Sequence, residues 1–402
     1  MKKIIALMLT LLMVFALSAC ADKGGESTTV STDTGKESSE TINTTAEDSS
    51  EIIDTTAEDS SEKTETTADG GGVKFTQIEK EIALDTEGRI WSYSLVDDLK
   101  LFCDSAKFTY ISEGNGLMCA LDENGGLWTW GANKSGQLGD GTTTDRDTPE
   151  KVFDDVKMVA AYGNNAFAIK TDGTLYQWGY GNCFAKLRAN GDDTENILTP
   201  TLVETDAKFE YIATGNSYAS VAVDTDGTRY AWGAPCTTMG YSASQIDPEL
   251  DADAAVTPFR LKPISNDTAP KGTYYFGSNT TYIIDENNTL YISGGKGSRL
   301  DPFEESGSFK VFTKAAEKVS MIVPASYGTL YIDTDGNIWG WGSDAFKICA
   351  AATSPVQITN GTEYTDVAIL DSGSTMAYAL GADGNIYTFG EKDSTPKIVE
   401  PK

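Results

Sequence analysis

Seven units with the same pattern of apolar and polar positions follow one another along the chain, each centred on a tight turn. An apolar residue stands four positions before the turn residue, and an aromatic residue stands three positions after it. Asp-Gly or Asn-Gly between two apolar runs is a strong hairpin signal, and rings two residues apart share one face of a strand. Each unit therefore predicts a β-hairpin with aromatic rings on one side. The turn residues are Gly88, Gly125, Gly173, Gly227, Asn288, Gly336 and Gly384. The rings expected to be structural are Trp91, Trp128, Trp130, Tyr176, Trp178, Tyr230, Trp232, Tyr291, Trp339, Trp341, Tyr387 and Phe389.

A proline-containing segment follows five of these hairpins: TPEKV at 148, TPTLV at 199, TPFRL at 257, SPVQI at 354 and TPKIV at 395. Because proline lacks an N–H group, these segments are expected to be outer edge strands. A further strand, such as KMVAAYG at 157–163, lies between the proline strand and the hairpin and brings each unit to four strands.

Seven such units cannot each bury a two-sided sheet alone, but a radial arrangement lets them bury one another. The sequence thus predicts an all-β, seven-bladed β-propeller of four-stranded blades over residues 73–402. The first unit has no proline strand before it, and the chain ends on one, so residues 395–399 are expected to complete the first blade.

The chain before the propeller predicts a signal peptide and a tether. Residues 1–19 have Lys2, Lys3 and an apolar run of 14 residues at 4–17, which is too short to span a bilayer. The Leu-Ser-Ala-Cys ending resembles a bacterial lipobox and marks Cys20 as the lipidated residue. Residues 20–72 are rich in Ser, Thr, Glu and Asp and repeat TTAEDSSE, which predicts a disordered linker, with a phosphorylated regulatory segment as the alternative. We expect a lipid-anchored protein on the extracytoplasmic side of the membrane.

Charge and composition exclude several function classes. The chain has 60 acidic against 31 basic residues, a net charge of −29, which disfavours nucleic acid as a partner. It has no histidine, so Ser-His-Asp and Cys-His catalysis and imidazole zinc sites are excluded. We expect no cofactor and no enzyme activity.

One unit resembles a known repeat. LWTWGANKSGQLGDGTTTDRDTPEKV, at 127–152, is similar to the repeat of the regulator of chromosome condensation family; the hairpin half recurs in all seven units, and Gly-Gln-Leu-Gly only in this one. The resemblance implies the propeller fold. Members of this family exchange nucleotide on a small GTPase, dock on chromatin or, in secreted bacterial relatives, inhibit β-lactamase, so it implies a rigid disc whose loops grip a macromolecule.

Two loops longer than the others follow the third and fourth aromatic strands and mix aromatic residues with carboxylates, a composition typical of interface cores. The alternative is a solvated loop without a role. The candidate binding residues are Tyr180, Phe184, Arg188, Met239, Tyr241, Asp247 and Glu249. Cys183 and Cys236 begin these loops in adjacent units and are a possible disulfide, although the odd count of five cysteines after Cys20 favours free thiols.

Asp-Thr-Asp-Gly at 224 and 333 and Asp-Glu-Asn-Gly at 122 invite a calcium interpretation, but a strand begins where further ligands are required, so no metal is expected. The leading hypothesis is a surface-displayed, non-catalytic propeller that binds an unidentified extracellular or envelope protein through rim loops. An inhibitor of a secreted enzyme such as β-lactamase is the first alternative. A glycan-binding protein or an enzyme using Asp192, Asp193, Asp251 and Asp253 is the second, and their spacing singles out no acid and base pair.

Overall fold

The structure is a computed structural model in which every regular element of the described part is a β-strand. It describes residues 72–93, 99–114, 116–180, 195–215, 220–232, 263–264, 266–277, 280–294, 309–325, 328–342, 348–349, 352–359, 361–369, 375–390 and 393–399. Among these residues no helix is long and apolar enough to cross a membrane.

The strands fall into seven antiparallel sheets, which are the blades. The first three blades contain β1 (Phe75–Ile78), β2 (Ile82–Asp85), β3 (Ile90–Ser92) and β4 (Lys100–Cys103); β5 (Phe108–Gly114), β6 (Leu117–Asp122), β7 (Leu127–Gly131) and β8 (Arg146–Phe153); and β9 (Val156–Tyr162), β10 (Asn165–Lys170), β11 (Leu175–Gly179) and β12 (Ile197–Leu202). The fourth and fifth contain β13 (Phe209–Thr214), β14 (Ser220–Asp224) and β15 (Arg229–Trp232); and β16 (Gly272–Phe276), β17 (Thr280–Asp285), β18 (Leu290–Gly294) and β19 (Phe309–Ala316). The last two contain β20 (Val319–Pro324), β21 (Gly328–Asp333), β22 (Ile338–Gly342) and β23 (Ala352–Gln357); and β24 (Tyr364–Ile369), β25 (Met376–Gly381), β26 (Ile386–Gly390) and β27 (Asp393–Ile398).

Each blade is a meander in which the strands lie in chain order. Six sheets have four strands; the fourth has three among the described residues, and an isolated bridge joins Tyr230 to Pro263 at its outer edge. The predicted all-β, seven-bladed propeller of four-stranded blades is therefore confirmed.

The proline segments lie where the absent N–H group requires, at the outer edge. β8, β12, β23 and β27 each pair only with the aromatic strand before them in the chain. The predicted segment at 257–261 lies outside the described residues. The KMVAAYG segment forms β9. Along the chain it lies between the proline strand of the second blade and the hairpin of the third, as predicted. Within the third blade it pairs with β10 at the inner edge, and the proline strand β12 lies at the opposite edge.

In four of the seven blades one aspartate holds both the hairpin turn and an aromatic side chain. In the sixth blade the N–H groups of Asp335 and Asn337 donate to Asp333 Oδ1 (both 2.9 Å), and Trp339 Nε1–H donates to Asp333 Oδ2 (2.8 Å). Partial burial raises the pKa of Asp333, but the hydrogen bonds from Trp339 and Asn337 outweigh it and leave the pKa below its ordinary value. Asp85, Asp122, Asp224 and Asp285 accept the same pair of turn N–H groups.

In the third and seventh blades a different residue occupies the position of the clamp aspartate. In the seventh, Gly381 occupies the aspartate position, and Asp383 instead accepts Tyr387 O–H (2.8 Å); a Cβ on Gly381 would lie 2.5 Å from Asp383 Oδ1. In the third, Lys170 occupies that position, and its Nζ lies 4.5 Å and 5.6 Å from the ring centres of Phe153 and Tyr176. The turn itself is held by Asp172, whose Oδ1 accepts Thr174 N–H (2.9 Å), while the Lys170 cation lies over the rings.

The turn residues need a left-handed backbone, and all seven have one, with φ from 60° at Asn288 to 82° at Gly88 and Gly173. Their carbonyl groups join neighbouring blades: Phe108 N–H donates to Gly88 O (2.8 Å), and Phe209 N–H donates to Gly173 O (2.8 Å). The same bond from the first residue of the next inner strand is made at Gly125, Asn288 and Gly336.

The prediction that residues 395–399 complete the first blade is wrong. β27 pairs with β26 in the seventh blade, through Tyr387 and Ile398, while β4 supplies the outer strand of the first blade. The ring closes by the bond that joins the other blades, with Phe75 N–H donating to Gly384 O (2.9 Å). This bond and the packing of apolar side chains between the first and seventh blades join the two ends of the ring, so no strand needs to be exchanged between them.

Candidate functional site

The two faces of the disc differ in what they carry. In an antiparallel meander the connections after the first and third strands of each blade lie at one edge, which we call the loop face. The hairpin turns and blade-to-blade connections lie at the other edge, the turn face. On the turn face, the clamp aspartates and the turn carbonyls are engaged within and between blades. The long connections after β11 and β15 leave from the loop face, which makes it the candidate binding side.

Tyr180 is the one predicted binding residue that the structure describes. It directly follows β11 on the loop face, is half-buried, and its N–H donates to Asn164 O (2.9 Å). The other candidates lie outside the described residues, so the rim hypothesis stays a prediction; these are Phe184, Arg188, Met239, Tyr241, Asp247 and Glu249, with Cys183 and Cys236 and the carboxylates Asp192, Asp193, Asp251 and Asp253.

The Gly-Gln-Leu-Gly segment at 136–139 is a structural part of the loop face. Gln137 O accepts Trp178 Nε1–H of the third blade (2.8 Å), and Leu138 is fully buried. A Cβ on Gly139 would lie 2.9 Å from Trp178 Nε1, so only glycine lets the loop approach the indole. The motif thus packs the loop of the second blade onto the third blade.

A polar network centred on the buried side chain of Asn133 fixes the same loop. The Asn133 amide donates to Asp140, Thr142 and Thr144 oxygens at 3.0–3.2 Å, and Arg146 Nη1 lies 2.8 Å from Asp140 Oδ2. Burial raises the pKa of Asp140, but hydrogen bonds from Thr142 and Asn133 and the charge of Arg146 lower it below its ordinary value. Residues that follow this loop are therefore held on a rigid base.

A cleft of about 400 Å³ lies between the first and second blades on the loop face, which is within the range of small-ligand sites. Phe102 on β4 is 37% exposed, and its ring centre lies 5.8 Å from that of Trp130. The cleft combines an apolar floor with a charged rim. Its lining residues are Glu81, Ile82, Ser92, Tyr93, Lys100, Phe102, Met118, Trp130, Gly131 and Asp147.

Three buried carboxyl groups lie next to this cleft, where the seventh, first and second blades meet. Glu113 Oε2 accepts Glu81 N–H (3.1 Å), Asp366 Oδ2 accepts Ile78 N–H (3.1 Å), and Tyr93 O–H donates to Glu79 O. Burial raises the pKa of both Asp366 and Glu113 to about 7. Burial, followed by repulsion from Asp366 and Glu113, raises the pKa of Glu79 well above its ordinary value.

The described residues show no metal centre, and two of their thiols are made unreactive by burial. No group of three His, Cys, Asp or Glu side chains is placed to hold a metal among them. Both oxygens of Asp333 accept N–H groups, as do both oxygens of Asp122, so hairpin chemistry accounts for these turns without calcium. Burial raises the pKa of Cys119 to about 12 and that of Cys349 to about 11, which keeps both thiols protonated and weakly nucleophilic.

The sequence reasoning missed the cleft and the carboxyl groups. Two sequence features could have indicated them. One is the apolar pair Leu101 and Phe102 in a segment without proline, which points to the cleft; the other is Asp366, the charged residue in a mostly apolar inner strand.

Comparison with known proteins gives one family match: residues 124–169 match the regulator of chromosome condensation (RCC1) repeat. The chain is 26% identical over 245 residues to the ultraviolet-B receptor UVR8 of Arabidopsis thaliana, covering 58% of this chain and 52% of the receptor. It is 26% identical over 290 residues to the human E3 ubiquitin-protein ligase HERC2, covering 67% of this chain and 6% of the ligase. The chain thus spans about half of the receptor and a small part of the ligase.

Solved structures with the same fold are more distant in sequence. Prp20p of Saccharomyces cerevisiae has a TM-score of 0.59 at 17% identity, covering 82% of this chain and 88% of Prp20p. Human WBSCR16 has a TM-score of 0.56 at 16% identity, covering 72% of this chain and 82% of WBSCR16. At these identities the likeness shows the fold alone.

Proposed function

The chain is a seven-bladed propeller of the regulator of chromosome condensation repeat type, and we propose that it is a non-catalytic module that binds a protein partner through its loop face. The asymmetry of the disc carries this proposal. The clamp aspartates and turn carbonyls of the turn face hold the blades together, whereas the two long connections of the third and fourth blades leave from the loop face. Binding residues favour variable loops on a rigid scaffold.

The chemistry of the described residues supports binding rather than catalysis. The buried carboxyl groups of Asp366 and Glu113 accept backbone N–H groups, and no histidine is present to act on a serine or cysteine. Among proteins of this fold, Prp20p has binding properties toward Gsp1p and histones, which agrees with a protein-binding role for the disc.

The proposal includes display outside the cytoplasmic membrane. The signal-like residues 1–19 and Cys20 supply the anchor, and the acidic segment to residue 72 supplies a tether between the membrane and the propeller. The expected result in cells fed a radiolabelled fatty acid is label on the full chain, and none after Cys20→Ser. Label that persists in this variant would refute the anchor.

Affinity capture tests the binding role. The immobilised full chain is exposed to envelope and culture-medium proteins of the source cells, and retained proteins are identified by mass spectrometry. We expect one protein at stoichiometric level, lost in the double variant Tyr180→Ala, Tyr241→Ala and kept in the turn-face control Glu87→Ala. Loss with Glu87→Ala alone would place binding on the other face, and retention of no protein would contradict the proposal. The identity of the retained protein would show whether inhibition of an enzyme is its purpose.

A further inference from the structure

We propose that the cleft between the first and second blades binds a basic side chain, arginine or lysine, presented by an extended segment of a protein partner. This inference rests on the proposed function. It adds a second contact between the loop face and the protein partner, and it specifies which kind of partner side chain enters the cleft. Three features carry it: an exposed aromatic platform, an acidic rim and a rigid wall.

The platform is formed by the outer strand of the first blade. Only four large hydrophobic side chains of the described residues are exposed, and one of them, Phe102 (37%), lies on β4 and lines the cleft. Its exposed neighbour Leu101 (46%) points to the other face of the strand and does not line the cleft. Single exposed apolar residues are common, but this ring forms part of the wall of a cleft with a volume suited to a ligand. β4 also has no proline, unlike β8, β12, β23 and β27, so none of its residues lacks the backbone N–H group that pairing with an extended segment requires.

The ring of Phe102 packs against Trp130, which fixes its position. Its ring lies on Trp130, with 5.8 Å between the ring centres and 33° between the planes, and Trp130 itself is only 3% exposed. The platform therefore loses little conformational freedom on binding.

The rim favours a cation. Glu81 and Asp147 are both exposed on it, against the one base Lys100. The whole chain has a net charge of −29, so the surrounding field has the same sign. A guanidinium or ammonium group over Phe102 also gains a cation–π interaction, and a guanidinium can pair with a carboxylate while it stacks.

The second side of the cleft does not need to rearrange. Glu81 N–H donates to the buried Glu113 side chain, and Trp130 and Gly131 end a strand in the centre of the second blade. A carbohydrate would also stack on Phe102, but a neutral sugar gains little from the acidic rim, so charge and salt dependence separate the two ligand classes.

Saturation-transfer NMR on the full chain tests the site with defined probes. The probes are acetyl-Gly-Arg-Gly-amide, the same peptide with norleucine in place of arginine, and N,N′-diacetylchitobiose. We expect transfer to the arginine side-chain protons, and a loss of about threefold or more when the salt is raised from about 50 mM to about 500 mM. Transfer should disappear in Phe102→Ala, fall in the double variant Glu81→Gln, Asp147→Asn, and persist in Leu202→Ala, the matched control at a 47% exposed residue on β12.

Several outcomes would overturn the inference. These are equal transfer to the norleucine peptide, transfer to the disaccharide without transfer to the arginine peptide, no transfer to any probe, or unchanged transfer in Phe102→Ala. Affinity capture with Phe102→Ala separates this failure from failure of the proposed function. A partner still captured by a chain that does not bind the arginine peptide leaves the propeller as a binding module and removes only the cleft.

Discussion

The side chain of Asp366 offers a sharp test of how the ring closes. It lies on the inner strand of the seventh blade, is 6% exposed, and accepts N–H groups from Ile78 of the first blade (3.1 Å) and from Val367 (2.9 Å). Burial raises its pKa from an ordinary 3.8 to about 7. The perturbation is Asp366→Asn, which keeps the shape and one acceptor oxygen but removes the ionisation.

The sign follows from linkage between protonation and folding. A carboxyl group whose pKa is raised by folding contributes no penalty below its unfolded pKa, and stability is lost as the pH rises from that value through the folded pKa. A rise from 3.8 to about 7 corresponds to roughly 4 kcal/mol at about 1.4 kcal/mol for each tenfold step. Glu79 and Glu113 lie nearby and add repulsion of the same sign as they ionise; Tyr93 and Tyr378 stay neutral, and Lys80 near Glu113 acts in the opposite direction.

The assay is urea denaturation of both chains between about pH 4 and about pH 8.5. Near pH 4 the variant should be less stable by about 1 kcal/mol, because the amide nitrogen cannot accept the N–H group of either Ile78 or Val367, whereas both oxygens of a protonated carboxyl group can. Between about pH 4 and about pH 8 the difference should shift in favour of the variant by about 2–4 kcal/mol. Asp335→Asn, at an exposed turn residue, should show no such pH dependence. A difference that does not change with pH, or a wild type that is more stable at high pH, would refute the reasoning and show that the bonds from Ile78 and Val367 outweigh burial.

Three further predictions concern the blades. Trp178→Ala removes a fully buried ring and its bond to Gln137 O and should cost about 3–5 kcal/mol of unfolding free energy; a loss under about 1 kcal/mol in a denaturant melt would contradict the packing. Asp333→Ala removes the acceptor for Trp339 and two turn N–H groups and should cost about 2 kcal/mol, whereas Asp335→Ala in the same turn should stay within about 0.5 kcal/mol. Because hydrogen bonds outweigh burial and lower the pKa of Asp122, Asp333 and Asp383, their stabilisation is present above the ordinary carboxyl pKa and is lost as the pH falls below about 4; a thermal midpoint that does not fall in this range would count against the clamps.

The repeat pattern predicted the blades because hairpin chemistry is local. The left-handed turn residue, the apolar residue before it and the aromatic strand after it lie within about ten residues, and the structure has a hairpin at every one of the seven positions. The four proline strands that the structure describes lie at the outer edge as predicted, since the missing N–H group is a property of the residue itself. The twelve predicted aromatic residues lie on the predicted strands, and Trp178, Trp232, Trp341 and Phe389 are among the largest fully buried side chains.

The sequence alone determined the hairpins, the number of blades and the edge position of the described proline strands, because each depends on side-chain and backbone preferences within one unit. The way the ring closes depended on contacts between residues about 300 positions apart. The Phe75 bond to Gly384 and the Asp366 bond to Ile78 made an exchanged strand unnecessary, and no pattern within one blade revealed them. The cleft beside Phe102 likewise needed two blades in their final positions, and so did the burial that raises the pKa of Asp366. Tertiary structure decided these features because burial and cavity shape arise only when separate blades meet.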